Sequence, residues 1–336
     1  MPTKARRGDA LPKTPPSGGR TLSFYPVPLI YKVGCRKRHG PAIEEDEPRG
    51  DARLGARGGT APGRRRLLEV GILGIRGSVF SFRRIFSSLG VPDLVSEFAG
   101  VAEQIQRALL DVGIPSLPGL DVGIRAAPAR LVGGDYLDII TRPGRAPLFA
   151  IGDVSGKSLP AAMRAVMLKY LVRGLTVALT DDLALILRQA NEAMCDELEE
   201  DAFVTFLIAT FEHENRLLRW ANAGHDPPLA YRASQGKIEH LPPSGLVLGV
   251  ERGTRYRVQT TMLEPEDAIV FYTDGFTDAR SPGGEQFTLA RIEEGLMEMR
   301  ALTAQAMAEA LFERVEAHAA GTLADDASIM VVRVTQ

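Results

Sequence analysis

Four aspartates, Asp135, Asp153, Asp274 and Asp325, stand at turns marked by Gly or Asp at the edges of apolar runs, in VGGDYLDII, FAIGDVSGK, IVFYTDGFTD and ADDASIMVV. Carboxylates carried on strand ends meet solvent from rigid supports. A cluster of hard divalent cations needs this arrangement, because Mg²⁺ and Mn²⁺ select oxygen ligands. A single ion takes about six oxygens, several of them from water, and two ions about 3.5–4 Å apart need at least one bridging carboxylate. One bridging Asp with flanking Asp residues meets that count, and the Val154 carbonyl beside Asp153 offers a further oxygen. The pattern reads as a two-metal hydrolase. Taken singly, each Asp is more often a structural turn residue, since Asp caps helices and closes Asx turns; the combination carries the reading.

Other reactive residue types offer little. Cys35 and Cys195 show neither a CxxC spacing nor a disulfide framework, which fits a reducing cytoplasm. His39, His213, His240 and His318 form no metal-ligand spacing. His225, in AGHDPP between strand-like runs, reads as a residue that bonds backbone and fixes the turn rather than as a general base. Gly133 and Gly134 belong to no GxGxxG or GxxxxGK[ST] run, so nucleotide binding has no support.

The elements that must position the aspartates begin near Pro92. Leu94, Phe98, Val101, Ile105 and Leu109 recur at spacings of three and four and predict one face of an amphipathic helix, followed by the IPSLPGL break. Strands are then expected in LDVGIRA, LVGGDYLDIITR and APLFAIGDV. Helices follow over Leu159 to Leu179, with Pro160 in the first turn, and over Asp181 to Leu198. FVTFLIATFE, RLLRWANA, PLAYRA, the shorter KIEHL, RYRVQTTML and DAIVFYTDG read as further strands. Helices around Leu289 to Met299 and Thr303 to Ala319 precede a final strand, SIMVVRV. Strands in hairpin order with helices grouped between them point to α+β layers.

The net charge of -2 over 336 residues hides an asymmetry. Residues 1–90 hold 18 Lys and Arg against 7 Asp and Glu, a basic arm on an acidic body. Its Pro, Gly and Arg content buries too little apolar surface to offset chain entropy, so it is expected to be mostly disordered. The arm lacks the interleaved aromatics and groove-reading helix of a nucleic-acid binder, which reads against such a partner. Its apolar stretch, Leu67 to Phe82, is interrupted by Glu69 and Arg76 and is too short to span a bilayer, so no membrane partner is expected. The expected division is 1–90 arm, 91–112 linker helix and 113–336 catalytic domain.

From about Asp93 onward the chain resembles the SpoIIE/RsbU-type branch of the PP2C (PPM) serine/threonine phosphatases. The matching pieces, in the family's order, are IQRALL, PARLVGGDYLD, GDVSGKSLPAAM, FVTFLIATF, ANAGHDPPL, LVLG, YTDGFTDAR and DDASIMVVR. The resemblance implies an α-β-β-α sandwich of two antiparallel sheets flanked by helices, with two Mn²⁺ or Mg²⁺ ions at one end. Asp153 would bridge them as the catalytic ligand, the Val154 carbonyl and Asp135 would serve one ion, and Asp274 and Asp325 the other. Asp326 would stand behind the ligands. The implied reaction is direct hydrolysis of a phosphoserine or phosphothreonine monoester. The implied substrate is a STAS-domain anti-sigma-factor antagonist of a partner-switching pathway in the cytoplasm. A homodimer through the linker helix is also implied, because in this family an upstream region and dimerisation reposition the helices beside the metal site.

Departures from the family pattern are Ser155 where eukaryotic relatives carry His, Ser158 for Gly, Asp226 for Asn and Asp278 for Glu, and Asp278 reads as a solvated Asp at a helix start. None removes a ligand. The alternative reading, a non-catalytic module that only binds a phosphoprotein, must explain why it would crowd carboxylates whose mutual repulsion costs stability.

Overall fold

The computed structural model describes residues 100–335, apart from 102–103, 106–108, 131, 157–158 and 179–180. The arm at 1–90, Cys35 and His39, the first part of the linker helix with Leu94 and Phe98, Ser158 and Leu179 lie outside the described residues. The described residues between 100 and 110 are helical, and residues 111–117 have no regular secondary structure.

Among the described residues, ten strands form two five-stranded antiparallel sheets. One has the order β1 (Leu120–Ala127), β10 (Ala327–Val334), β9 (Ala268–Tyr272), β6 (Leu229–Arg232), β7 (Lys237–His240). The other runs β2 (Asp135–Ile140), β3 (Leu148–Val154), β4 (Val204–Glu212), β5 (Leu217–Ala223), β8 (Gln259–Met262). Helices α1 (Leu159–Ala178) and α2 (Leu183–Glu197) follow β3. The short α3 (Asp274–Thr277), then α4 (Thr288–Met299) and α5 (Ala304–His318), lie between β9 and β10. This is the α+β sandwich that the pattern of elements and the family resemblance lead one to expect.

The central strands are covered on both faces, which is why they read as continuous apolar runs and not as alternating ones. In β2, Leu137 and Ile139 join Phe149, Ile151, Leu207, Phe271 and Met330 in the core between the sheets. Tyr136 and Ile140 face the other way, into a layer shared with Leu168 and Val172 of α1 and Ile186 and Leu187 of α2. The opposite sheet buries Val270, Tyr272, Ile329 and Val331 against α4 and α5. The helices start where side-chain acceptors permit: Asp182 accepts from the Leu185 amide at 3.1 Å, and the Thr303 hydroxyl accepts from Ala306 at 3.3 Å.

Two local expectations change. RYRVQTTML pairs only over Gln259–Met262, because Tyr256 is drawn instead into the cluster beneath α1 and α2, against Gly245. Asp278 is not at a helix start; it closes α3, donating its amide to the Asp274 carbonyl at 2.7 Å.

A buried polar network joins α1 to β2. Asp138 is fully buried, and Arg173 grips both of its oxygens at 2.7 Å, while the Tyr136 hydroxyl donates to it at 3.3 Å. Lys169, also buried, donates to the carbonyls of Leu137 at 3.4 Å and of Leu109 in the linker helix at 3.3 Å, and burial pushes its pKa down. Removing Arg173 would leave the Asp138 charge unpaired, a change that costs about 3–5 kcal/mol for a fully buried pair. Because the Arg173 side chain is 46% exposed, solvent screening reduces this. Arg173→Ala is expected to lower unfolding stability by about 2–4 kcal/mol in urea titration.

Candidate metal centre

Asp135 opens β2 and Asp153 lies one residue before the end of β3, and the two are direct partners across the ladder, so their side chains share a face. The Val154 amide donates to the Gly134 carbonyl at 3.2 Å. A Cβ at position 134 would stand 2.4 Å from the Val154 carbonyl oxygen and 2.9 Å from Oδ1 of Asp153; one at 133 would stand 2.0 Å from Oδ2 of Asp326. The double glycine of LVGGD is therefore a requirement of close approach by carboxylates and a carbonyl, not a phosphate cradle.

The opposite sheet supplies the rest of this end. Oδ2 of Asp135 accepts from the Thr273 hydroxyl at 2.9 Å and from the Ser328 hydroxyl at 2.6 Å. Thr273 immediately precedes Asp274, and the Ser328 amide bonds the Thr273 hydroxyl at 3.0 Å. Asp274 is the first residue of α3, and a Cβ on Gly275 would lie 1.9 Å from the Asp326 carbonyl oxygen, so the Asp274 and Asp325–Asp326 turns are in close backbone contact. Asp326 accepts from the amides of Ala129 and Gly134, both at 2.8 Å, which fastens the LVGGD turn to the start of β10. Asp325 is half-buried, and its Oδ1 accepts from the Asp326 amide at 3.0 Å.

The structure thus brings Asp135, Asp153, Val154, Asp274 and Asp325 to one end of the sandwich. The expectation that all four carboxylates meet solvent fails at Asp135, which is 1% exposed. Burial first, then the negative charges of Asp153 and Asp326, raise its pKa well above the ordinary carboxylate value; the Ser328 and Thr273 hydroxyls oppose this only in part. Among the described residues no three or more His, Cys, Asp and Glu side chains converge tightly enough to hold an ion. The gathering is one of strand ends and turns.

A family model for stage II sporulation protein E (SpoIIE) matches residues 143–335, more than half of the chain. The chain belongs to the SpoIIE family of PP2C-type phosphatases. It is 27% identical over 246 residues to phosphoserine phosphatase RsbU of Bacillus subtilis (strain 168), covering 73% of this chain and 72% of RsbU. Two solved structures share the fold: the RsbU and RsbW domains of Rv1364c from Mycobacterium tuberculosis, and the SiaA-PP2C domain of Pseudomonas aeruginosa. The first has a TM-score of 0.59 at 22% identity and covers 68% of this chain and 63% of that one. The second has a TM-score of 0.59 at 21% identity and covers 75% of this chain and 98% of that one.

Within this SpoIIE-family domain the departures noted in the sequence acquire definite surroundings. Ser155, at the position of the eukaryotic His, is latched to Phe203: its amide donates to the Phe203 carbonyl at 3.0 Å and its hydroxyl accepts from the Phe203 amide at 2.9 Å. His225 is buried, with Nδ1 2.9 Å from the Thr205 hydroxyl, its amide donating to Asn222 Oδ1 at 2.7 Å and its carbonyl accepting from Asn222 Nδ2 at 3.0 Å. It fixes the AGHDPP turn. Burial holds its pKa down at about 4, against a smaller opposing pull from the Tyr272 carbonyl. That turn carries Asp226, whose carboxyl is pushed up to about 7 by burial and then by the charges of Asp274 and Asp278.

Reading of the sequence missed Thr273 and Ser328 as the partners of Asp135. Their only signal is the position of each hydroxyl beside a chosen Asp, in YTDG and DDAS.

His225 generates a pH prediction. Its folded pKa is depressed, so its stabilising contribution is full above the unfolded value near 6.5 and is lost as pH falls through about 4. The most it can contribute is about 3 kcal/mol. Denaturant titrations at pH 7 and pH 4 are expected to show a smaller acid loss in His225→Gln than in the natural chain.

Proposed function

We propose that this chain is a metal-dependent serine/threonine phosphatase that hydrolyses a phosphoserine or phosphothreonine monoester with water, without a covalent phosphoenzyme. The observation that carries the reading is Asp135: a buried carboxylate at the seam of the two sheets, its pKa raised first by burial and then by neighbouring carboxylates, with no basic side chain among the described residues bonded to it. A site of this kind is electrostatically incomplete without a cation.

The donor set consists of carboxylate and carbonyl oxygens, which suits Mg²⁺ or Mn²⁺. Asp153 would bridge two ions, Asp135 and the Val154 carbonyl would hold one, and Asp274 and Asp325 the other. When bound, such ions supply a hydroxide-like nucleophile near neutral pH and neutralise phosphate oxygens. The chain's own residues prepare the site. Thr273 and Ser328 occupy Oδ2 of Asp135 and fix its orientation, leaving Oδ1 for a ligand. Asp326 is committed to two backbone amides and positions the turns rather than the substrate. Ser155 is committed to Phe203 and is not assigned the leaving-group proton.

The substrate class in this proposal is a phosphoprotein, specifically a STAS-domain anti-sigma-factor antagonist in a cytoplasmic partner-switching pathway. Its support is the similarity to phosphoserine phosphatase RsbU and to a protein that joins RsbU and RsbW domains. Among the described residues no helix is long and apolar enough to cross a membrane. A homodimer through the linker helix belongs to the same reading, with the half-exposed Val101 as its apolar contact. Lys169 would relay its position, because the same ammonium bonds Leu109 of that helix and Leu137, two residues along β2 from Asp135.

Hydrolysis of p-nitrophenyl phosphate and of a phosphoserine peptide by the full chain is expected to require Mn²⁺ or Mg²⁺. Asp153→Asn should lose at least about 100-fold in turnover, the scale of several kcal/mol of charge stabilisation. Metal-independent turnover, or an active Asp153→Asn, would overturn the assignment. Sedimentation equilibrium is expected to show a dimer that Val101→Asp converts to monomer.

A further inference from the structure

Asp135, Asp153 and Thr205 stand in register across three neighbouring strands, β2, β3 and β4, so their side chains share one face at the metal end. Cross-strand neighbours of this kind lie about 4.5–5.5 Å apart at Cβ. The row therefore continues from two carboxylates to a hydroxyl. The Thr205 hydroxyl is 2.9 Å from Nδ1 of His225, which stands outside the ladder, in the turn after β5. The same ring feels the carbonyl of Tyr272, the last residue of β9 and two before Asp274. One imidazole thus links the strand beside Asp153 to the strand of the opposite sheet that delivers Asp274.

The turn is built to hold that ring in place. The Asn222 side chain bonds both the amide and the carbonyl of His225, and the backbone of Asn222 is itself tied to Ser244 in both directions. Gly224 has a φ of 68°, and a Cβ there would stand 2.5 Å from Cγ1 of Val247, so a side chain at 224 would strain the turn. These contacts are to the backbone and ask nothing of the imidazole. The ring is buried, yet Nε2 has no hydrogen bond of ordinary geometry among the described residues. A phenylalanine would fill the space without burying an unmet polar atom, which is costly. What the imidazole adds is its two nitrogens. Nδ1 is engaged by Thr205, so Nε2 is the nitrogen left to serve the Tyr272 carbonyl.

We propose that His225 is a positioning residue of the metal centre: by holding Thr205 and the end of β9 together, it sets the separation of Asp153 from Asp274. The proposal rests on the two-ion reading given above. Ions that must be shared by carboxylates from two sheets bind tightly only if the sheets are already spaced for them, and outer partners of metal ligands are typically worth about 10–100-fold in affinity. The test is calorimetric titration of Mn²⁺ into the full chain, freed of metal, beside Thr205→Val, Thr205→Ser and His225→Phe. Valine suits a strand and keeps the shape of threonine but lacks the hydroxyl. Its dissociation constant for Mn²⁺ should rise about 10–100-fold, and that of His225→Phe likewise. Thr205→Ser, which keeps the hydroxyl, should stay within about threefold of the natural chain. Thr205→Val/His225→Phe should bind no more weakly than the poorer single variant, because both substitutions remove one contact. A role confined to folding would lower melting temperatures and leave these constants alone, and that result overturns the proposal. So do losses that multiply in the double variant. Absence of Mn²⁺ binding by the natural chain overturns the two-ion reading itself, and the proposal falls with it.

Discussion

The structure turns on one carboxylate. Asp135 sits where the two sheets meet, on β2, yet both hydroxyls that bond it come from the other sheet, at the end of β9 and the start of β10. Each hydrogen bond to a charged group contributes about 1.5–3 kcal/mol, while withdrawing the carboxylate from water costs several. The hydroxyls therefore fix the side chain more than they stabilise it. Thr273 adjoins Asp274 and Ser328 follows Asp326, so the same two bonds that orient Asp135 also bring the remaining acidic turns to it.

Asp326 performs the complementary task through backbone. By accepting from Ala129 and Gly134 it ties the turn before β2 to the turn before β10, and the tie has a steric condition on each side. Gly133 yields to the Asp326 carboxylate, Gly134 to Asp153 and Val154, and Gly275 to the Asp326 carbonyl. Three glycines thus let three turns approach more closely than any side chain would allow. The sharing of work between adjacent residues follows, since Asp326 spends both oxygens on structure while Asp325 is half-exposed at the same end.

Much of this was legible in the sequence, because the central strands are covered on both faces and betray themselves as continuous apolar runs such as FVTFLIATF and AIVFY. The four acidic turns were legible for a related reason: charge abruptly ending an apolar run marks a strand edge. What could not be read depends on contacts between distant parts of the chain. The partners of Asp135 lie 138 and 193 residues away, so neither its burial nor the role of Thr273 and Ser328 has a local signature. The same holds for RYRVQTTML, whose composition favours a strand throughout but whose Tyr256 is claimed by the helical layer. Asp278 has no local signature either, because the four-residue α3 that it closes is too short to show a period.

The fold contains its own standard for judging Asp135. Among the described residues three other aspartates are buried: Asp326 spends its oxygens on backbone amides, and the other two each receive an arginine. Asp138 is held by Arg173, and Asp267 by Arg232 at 3.1 Å, with the amides of Ala233 and Glu264 completing its shell. Asp135, three residues from Asp138 on the same strand, receives hydroxyls on one oxygen and the repulsion of Asp153 and Asp326. A lone structural role would be served by the arginine that its neighbours receive, or by a neutral residue of the same shape, since an unneutralised buried charge is costly. The arrangement makes physical sense when the positive charge is to come from solution. An exchangeable cation can then complete the site and meet a phosphate, which a covalently attached arginine already committed to Asp135 could not do.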